Sequence, residues 1–199
     1  MNKLIEYCND NRALPLAIIS TLVFILYITL ILSRVSACYT LDAGSNSLGL
    51  SFYYTKEMVQ SFFELRNQDQ LICYSQFLKI WDSIFALIYT LMYASWIAYF
   101  LKNKNLFLIV PILAMTCDWA ENYMELLMLE TYIKSNFISE TFVSLGSGIN
   151  STKWIFSTFT YLLILYGIII TIKNLITKTK KNSALYFSLK KYLKCTNKQ

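Results

Sequence analysis

The sequence contains no histidine, and of its 199 residues only five are glycine and two are proline. Imidazole is the usual neutral-pH general base and the commonest zinc ligand, so its absence excludes zinc hydrolases, Ser-His-Asp triads and His-ligated haem. The scarcity of glycine and proline argues against flexible linkers, collagen-like repeats and turn-rich β designs. Cys8, Cys38, Cys73, Cys117 and Cys195 include no CxxC pair and make no metal framework. There is no nucleophile elbow, phosphate loop or metal triad, and no cofactor is expected.

Apolar surface is what the chain has in abundance. Hydrophobic residues make up 56% and aromatics 16%, with a mean hydropathy of +0.44, against about 45–50% apolar in soluble domains. The expected fold class is all-α, a polytopic membrane protein with four transmembrane helices in one domain. Residues 14–33 carry no charge, a run long enough to cross a hydrocarbon core of about 30 Å. Pro15 fits the first turn of that helix. Further spans are expected at about 77–101, 106–129 and 154–176, the second and third joined by the tight turn Lys102, Asn103, Lys104, Asn105.

Basic residues accumulate on the cytoplasmic side of membrane proteins. Lys3 and Arg12 precede the first span, Lys102 and Lys104 fill the short turn, and a run of lysines from Lys173 to Lys198 occupies the tail. Both termini are therefore expected in the cytoplasm, with loops at about 34–76 and 130–153 outside a bacterial inner membrane or plasma membrane. Trp81, Trp96 and Trp154 fall near span ends, as interfacial aromatics do. Val35, Ser36, Ala37 and Cys38 match a lipoprotein cleavage box. The apolar run is longer than the roughly 7–15 residues of a signal peptide, and Arg34 interrupts it, so an uncleaved first helix is expected.

Residues 54–72 read as an amphipathic extracytoplasmic cap helix, with Met58, Val59, Phe62, Phe63 and Leu65 on its apolar stripe and Asn67, Gln68 and Asp69 in a turn. Cys38 and Cys73 share this outer compartment as a candidate disulfide, the alternative being two unrelated buried thiols. In the tail, 177–199, Leu185, Leu189, Tyr192 and Leu193 suit either an inner-leaflet helix or an ordinary positive-inside tail. Nothing points to nucleic acid; the expected partners are the lipid bilayer and either a second copy of the chain or another membrane protein. Asn150, Ser151 and Thr152 form a glycosylation pattern, but one that abuts the fourth span.

The third span carries the anomaly. Asp118, Glu121, Asn122 and Glu125 lie three, four and seven positions apart, on one helical stripe. A carboxylate near the bilayer centre costs roughly 2.5–3.5 kcal/mol on insertion scales, so several need a reason. Asp82 and Tyr89 on the second span and Lys153 at the start of the fourth fall, by depth, in the same outer half, with Lys79 one turn before Asp82. Carboxylates within about 6 Å of one another must pair with lysine, share protons or hold a cation.

An Asp-x-x-Glu-Asn motif at Asp118, Glu121 and Asn122, the stretch Phe52, Tyr53, Tyr54, Thr55, Asp82 opening the second span, and Thr152, Lys153, Trp154 opening the fourth together resemble a group of small uncharacterised bacterial four-span membrane proteins. The resemblance covers about residues 48–175. It implies no activity, but it places Asp82, Asp118, Glu121, Asn122 and Lys153 in one site.

Three functions compete. The first is an acidic intramembrane pocket, open to the outer side, that binds or conducts a cation, proton or small ligand through Asp82, Asp118, Glu121, Asn122, Glu125, Tyr89 and Lys153; such oxygen donors suit hard cations, the metal itself being open. The second is a scaffold or assembly partner whose acids are structural ion pairs. The third, less favoured, is a lipid-active enzyme using paired carboxylates as acid and base.

Overall fold

The computed structural model describes residues 2–41, 47–102 and 105–196, with side chains described between residues 13 and 177. All regular elements among them are helical. Three helices are long and apolar enough to cross a membrane, Ala13–Ser36, Gln68–Phe100 and Glu140–Thr177, and they make this a membrane-associated protein.

Helix α1 runs Asn2–Leu26, widens into a π-helical stretch at Tyr27–Leu32 and ends in the α turn Ser33–Ser36. Pro15 thus lies inside the helix rather than in its first turn. Helix α2 is Lys56–Glu64. Helix α3 begins at Gln68–Gln76, passes through a second π-helical stretch at Phe77–Asp82 and continues as Ser83–Phe100. After a 3₁₀ turn at Asn105–Leu108 come α4, Ile109–Ser135, and α5, Glu140–Thr196. Lys104 and the side chains of Lys3, Arg12 and the basic tail, including Leu185, Leu189, Tyr192 and Leu193, lie outside the described residues.

Several boundaries differ from the sequence reading. The expected cap at 54–72 is two helices, and the second of them is the beginning of α3. A complete capping box divides them, with the Gln70 N–H donating to Asn67 Oδ1 at 2.9 Å and the Asn67 N–H to Gln70 Oε1 at 3.0 Å. On α2, Val59, Phe62 and Phe63 are buried, whereas Met58 and Leu65 are exposed. At its start the Thr55 side chain accepts from the Met58 N–H, and its hydrogen bond to Glu57 holds that carboxyl below the usual range. The outer loop expected at 130–153 is helical except at 136–139, where Asn136 takes a left-handed conformation (φ 55°) and its N–H donates to the Tyr132 carbonyl. Helix α4 is continuous where a span was expected at about 106–129, yet Asp118, Glu121, Glu125 and Glu130 deny it the apolar composition of the other three.

Helices α4 and α5 make the closest pair, α1 packs on α3, and α3 also touches α4 and α5. Helices α1 and α5 barely meet. At the end remote from the 101–108 turn a compact core fills the space between α2, α3, α4 and α5, built on Val59, Phe62, Phe63, Tyr74, Met128 and Leu129. Arg66 is buried there, stacked 3.4 Å over the Phe62 ring and donating to the carbonyls of Tyr39 (2.8 Å) and Phe62 (2.6 Å).

The segment 49–54 crosses this end as a strap along α5. The Asn150 side chain donates to the Ser51 carbonyl at 2.6 Å, Ser151 to the Phe52 carbonyl at 3.0 Å, and Ser147 Oγ accepts from the Tyr54 N–H at 3.0 Å. Gly146 makes the approach possible, because a Cβ there would collide with Tyr54 Oη. Those contacts explain why a Gly- and Ser-containing stretch that reads as loop is helix instead. Buried Asn150 is also no glycan acceptor.

Cys38, just beyond α1, is joined to Cys73 on α3, with Cα atoms 6.3 Å apart. A thiol so engaged leaves nothing for a lipid thioether. The bridge closes a chain separation of 35 residues, which by loop-closure entropy stabilises by about 2–4 kcal/mol. Cys38→Ser and Cys73→Ser should therefore lower the melting temperature equally, the double variant no further than either. Equal melting of wild type and variants, with two free thiols by mass spectrometry, would remove the bridge from the structure.

Candidate functional site

The acids of α4 meet one lysine from α5. Lys153 Nζ lies 2.5 Å from Glu121 Oε2 and 3.1 Å from Asp118 Oδ1, and donates to the Gly49 carbonyl of the strap at 3.2 Å. Trp154 Nε1 donates to the same carbonyl at 3.2 Å. Gly49 gives room for this closure, since a Cβ would sit 2.8 Å from Glu121 Oε1 and 3.2 Å from Lys153 Nζ, and those side-chain ends would have to shift. Lys153 was expected at the start of a helix; it lies well inside α5, positioned by the strap and by α4 together.

Helix α3 supplies the other wall. Tyr89 Oη donates to Asp118 Oδ2 at 3.0 Å, and Asn122 Nδ2 donates to Asp82 Oδ2 at 2.7 Å. Asp82 closes the π-helical stretch Phe77–Asp82, whose wider turns free backbone carbonyls for side chains. Tyr27 Oη, from the π stretch of α1, donates to the Trp81 carbonyl at 2.8 Å, and Trp119 Nε1 to the Ser83 carbonyl at 3.1 Å. Two irregular turns on adjoining helices thus hold Asp82 toward α4.

The remaining acid, Glu125, is fully buried one turn beyond Glu121. Tyr74 Oη donates to its Oε2, and Ser47 Oγ lies 3.1 Å from the same hydroxyl. Glu125 Oε1 and Glu121 Oε1 are both buried without a hydrogen-bond partner. Tyr54 Oη and Asn150 Oδ1 are buried nearby on the strap and α5 with no hydrogen-bond partner. Burial, with Glu125 and Glu121 adding to it, pushes the Tyr54 hydroxyl well above the ordinary tyrosine range, so it remains protonated.

Asp82, Tyr89, Asp118, Glu121, Asn122 and Lys153 face one cavity of about 420 Å³. Helix α1 lines it with the apolar Phe24, Ile28 and Leu32 and, at its end, with Ser33 and Ser36. Glu125 stands behind Glu121 and does not line it. Lys79 is exposed and takes no part. Among the described residues no three His, Cys, Asp or Glu side chains gather around a metal-sized position.

The sequence reading missed Tyr74, Tyr54, Gly49 and the α1 wall. Tyr74 and Tyr54 carried no spacing signal relative to the acids. Asn150 did stand out, but as a glycosylation pattern rather than as a buried amide.

Comparison with protein-family models, with curated proteins and with solved structures returns no match.

Removing one partner of a buried ion pair costs on the order of 3–5 kcal/mol, because the partner's charge stays behind. Lys153→Met should accordingly lower unfolding stability by that order, and adding Glu121→Gln to it should restore part of the loss. A Lys153→Met protein as stable as wild type would show that this lysine does not neutralise the cluster.

Proposed function

We propose that the chain is a four-span membrane protein with both termini in the cytoplasm, in a bacterial inner membrane or plasma membrane, whose acidic cavity opens to the outer side and binds a cationic ligand. Helix lengths support the placement. At 1.5 Å per residue, Asp82 stands about 29 Å from Leu101 along α3, and Trp154 about 33 Å from Ile176 along α5. Both distances match a hydrocarbon core of about 30 Å, with Asp82 and Lys153 at its outer boundary. The parts of α3, α4 and α5 beyond that boundary, with α2 and the strap, form the extracytoplasmic cap. Helix α4 enters the bilayer as a partner of α5, its acids turned toward Lys153 and α3 rather than toward lipid.

The observation that carries the reading is the charge imbalance around an open volume. Asp82, Asp118 and Glu121 line the cavity, Glu125 lies just behind, and Lys153 is the one cationic side chain among the described lining residues. Four carboxyl groups thus outnumber the one ammonium, and Asp82 is held by the Asn122 amide rather than by that lysine. That excess favours a cation in the adjoining space.

Scaffolding is the second reading, favoured by the bond from Lys153 to the Gly49 carbonyl, which makes the ion pairs a clamp on the cap. The two separate in a thermal-stability screen of detergent-purified protein with sodium, calcium and methylammonium at constant ionic strength. A binding protein melts higher with one of these, and Asp82→Asn removes the increment while leaving the clamp in place. Identical melting of wild type and Asp82→Asn under every cation would leave only the scaffold.

A further inference from the structure

The cavity has a head and a tail. Its acids lie on α3 and α4, whereas the wall they face is the apolar side of α1 at Phe24, Ile28 and Leu32, with Phe85 and Tyr93 completing the deeper part. The cavity is lined in part by the two π-helical stretches, which contribute Ile28 and Leu32 from α1 and Phe77 and Asp82 from α3. Because α1 packs on α3 while barely meeting α5, the seam between α1 and α5 is the side on which the bundle is not closed by helix packing. Ser157 and Tyr161 of α5 line the cavity, Tyr161 being 52% exposed with its hydroxyl hydrogen-bonded to that of Tyr93 on α3. In the placement proposed above the seam faces lipid, not water.

From these walls we infer that the ligand is an ammonium amphiphile, entering sideways from the outer leaflet between α1 and α5. Its charged head would lie against Asp82 and Asp118, and its apolar body along Phe24, Ile28 and Leu32. The inference rests on the cation-binding reading and narrows it. Three observations favour an organic ammonium with a tail over a bare metal ion or a zwitterionic lipid. No three acids converge on a metal-sized position among the described residues. The aromatic residues Phe85, Tyr89 and Tyr93 line the cavity, and aromatic π systems attract organic cations. Lys153 is already engaged by Glu121, Asp118 and the Gly49 carbonyl, so a phosphate would find no cation waiting for it.

The test is a binding series on the full chain in a non-ionic maltoside, reading melting temperature and competition among methylammonium, hexylammonium, dodecylammonium, dodecyl sulfate and dodecylphosphocholine. Counted against the monomeric ligand in water, each methylene taken into the cavity should tighten binding about fourfold until the chain meets the floor, so affinity rises steeply from methyl- to dodecylammonium. Dodecyl sulfate and dodecylphosphocholine should compete weakly. Asp82→Asn should weaken every ammonium at least tenfold, whereas Ile28→Trp, which fills the tail end, should flatten the dependence on chain length. Folding of each variant is checked by its helical circular dichroism and by an intact Cys38–Cys73 bridge.

Equal affinity for methyl- and dodecylammonium, or binding of calcium or sodium but of no ammonium, would overturn the amphiphile and leave the cationic site standing. Dodecyl sulfate binding as tightly as dodecylammonium would reduce the cavity to a greasy cleft and overturn the inference as well. If no cation of any kind binds, the site reading falls with it.

Discussion

Everything at the centre of this molecule depends on the Lys153 ammonium. It meets two carboxylates of α4 and a backbone carbonyl of the strap, and so ties three chain segments that are far apart in sequence. Buried ion pairs seldom stabilise more than the apolar packing that could replace them, because each charge must first lose its water. Their value lies in specificity. An acidic stripe on α4 can be buried in one orientation only, the one that faces a lysine, and this fixes the rotation of α4 against α5. The same contact fixes the height of the strap, since Gly49 closes directly over Glu121.

That arrangement has a consequence for how α4 can be accommodated at all. Helices α1, α3 and α5 have the length and apolar composition of membrane-crossing segments by themselves; α4 does not. Its acids are covered only when α5 and α3 supply Lys153, Tyr89 and Tyr74. In the four-span reading, α4 is stable in the bilayer only as part of the assembled bundle, its partners provided by helices on either side of it in the chain. The tight packing of α4 on α5 reflects that dependence, as does the shortness of the 136–139 link between them.

The helical class and the approximate positions of the long helices were legible because runs of apolar residues report directly on burial in lipid or core. The stripe of Asp118, Glu121, Asn122 and Glu125 was legible too, since helical spacing places such residues on one face whatever they meet. The partners were less so. Asp82 and Lys153 could be matched in depth by counting residues, but azimuth depends on packing, and counting does not give it. Tyr74 comes to Glu125 only because α3 begins earlier than its apolar run, at Gln68. The helical course of 140–153 was hidden for a related reason. Its glycines, serines and Asn150 have the composition of a loop, and the strap that holds them in a helix lies almost a hundred residues away in sequence.

The two ends of the cavity differ mechanically. At the end that carries α2, the disulfide, the buried Arg66 and the aromatic core around Phe63 and Tyr74 leave little freedom. Along α1 the restraints are sparser. Its contacts go mainly to α3, the Tyr27 hydroxyl bonded to the Trp81 carbonyl is its polar tie at the level of Asp82, and both helices carry a π-helical stretch there. Wide turns of this kind can shift a helix face by rearranging a few hydrogen bonds, without unpacking the whole helix. If any wall of the cavity gives way to admit a ligand, the physics selects α1. Motion of α4 or α5 would pull Lys153 away from Asp118 and Glu121, whereas motion of α1 leaves those ion pairs intact.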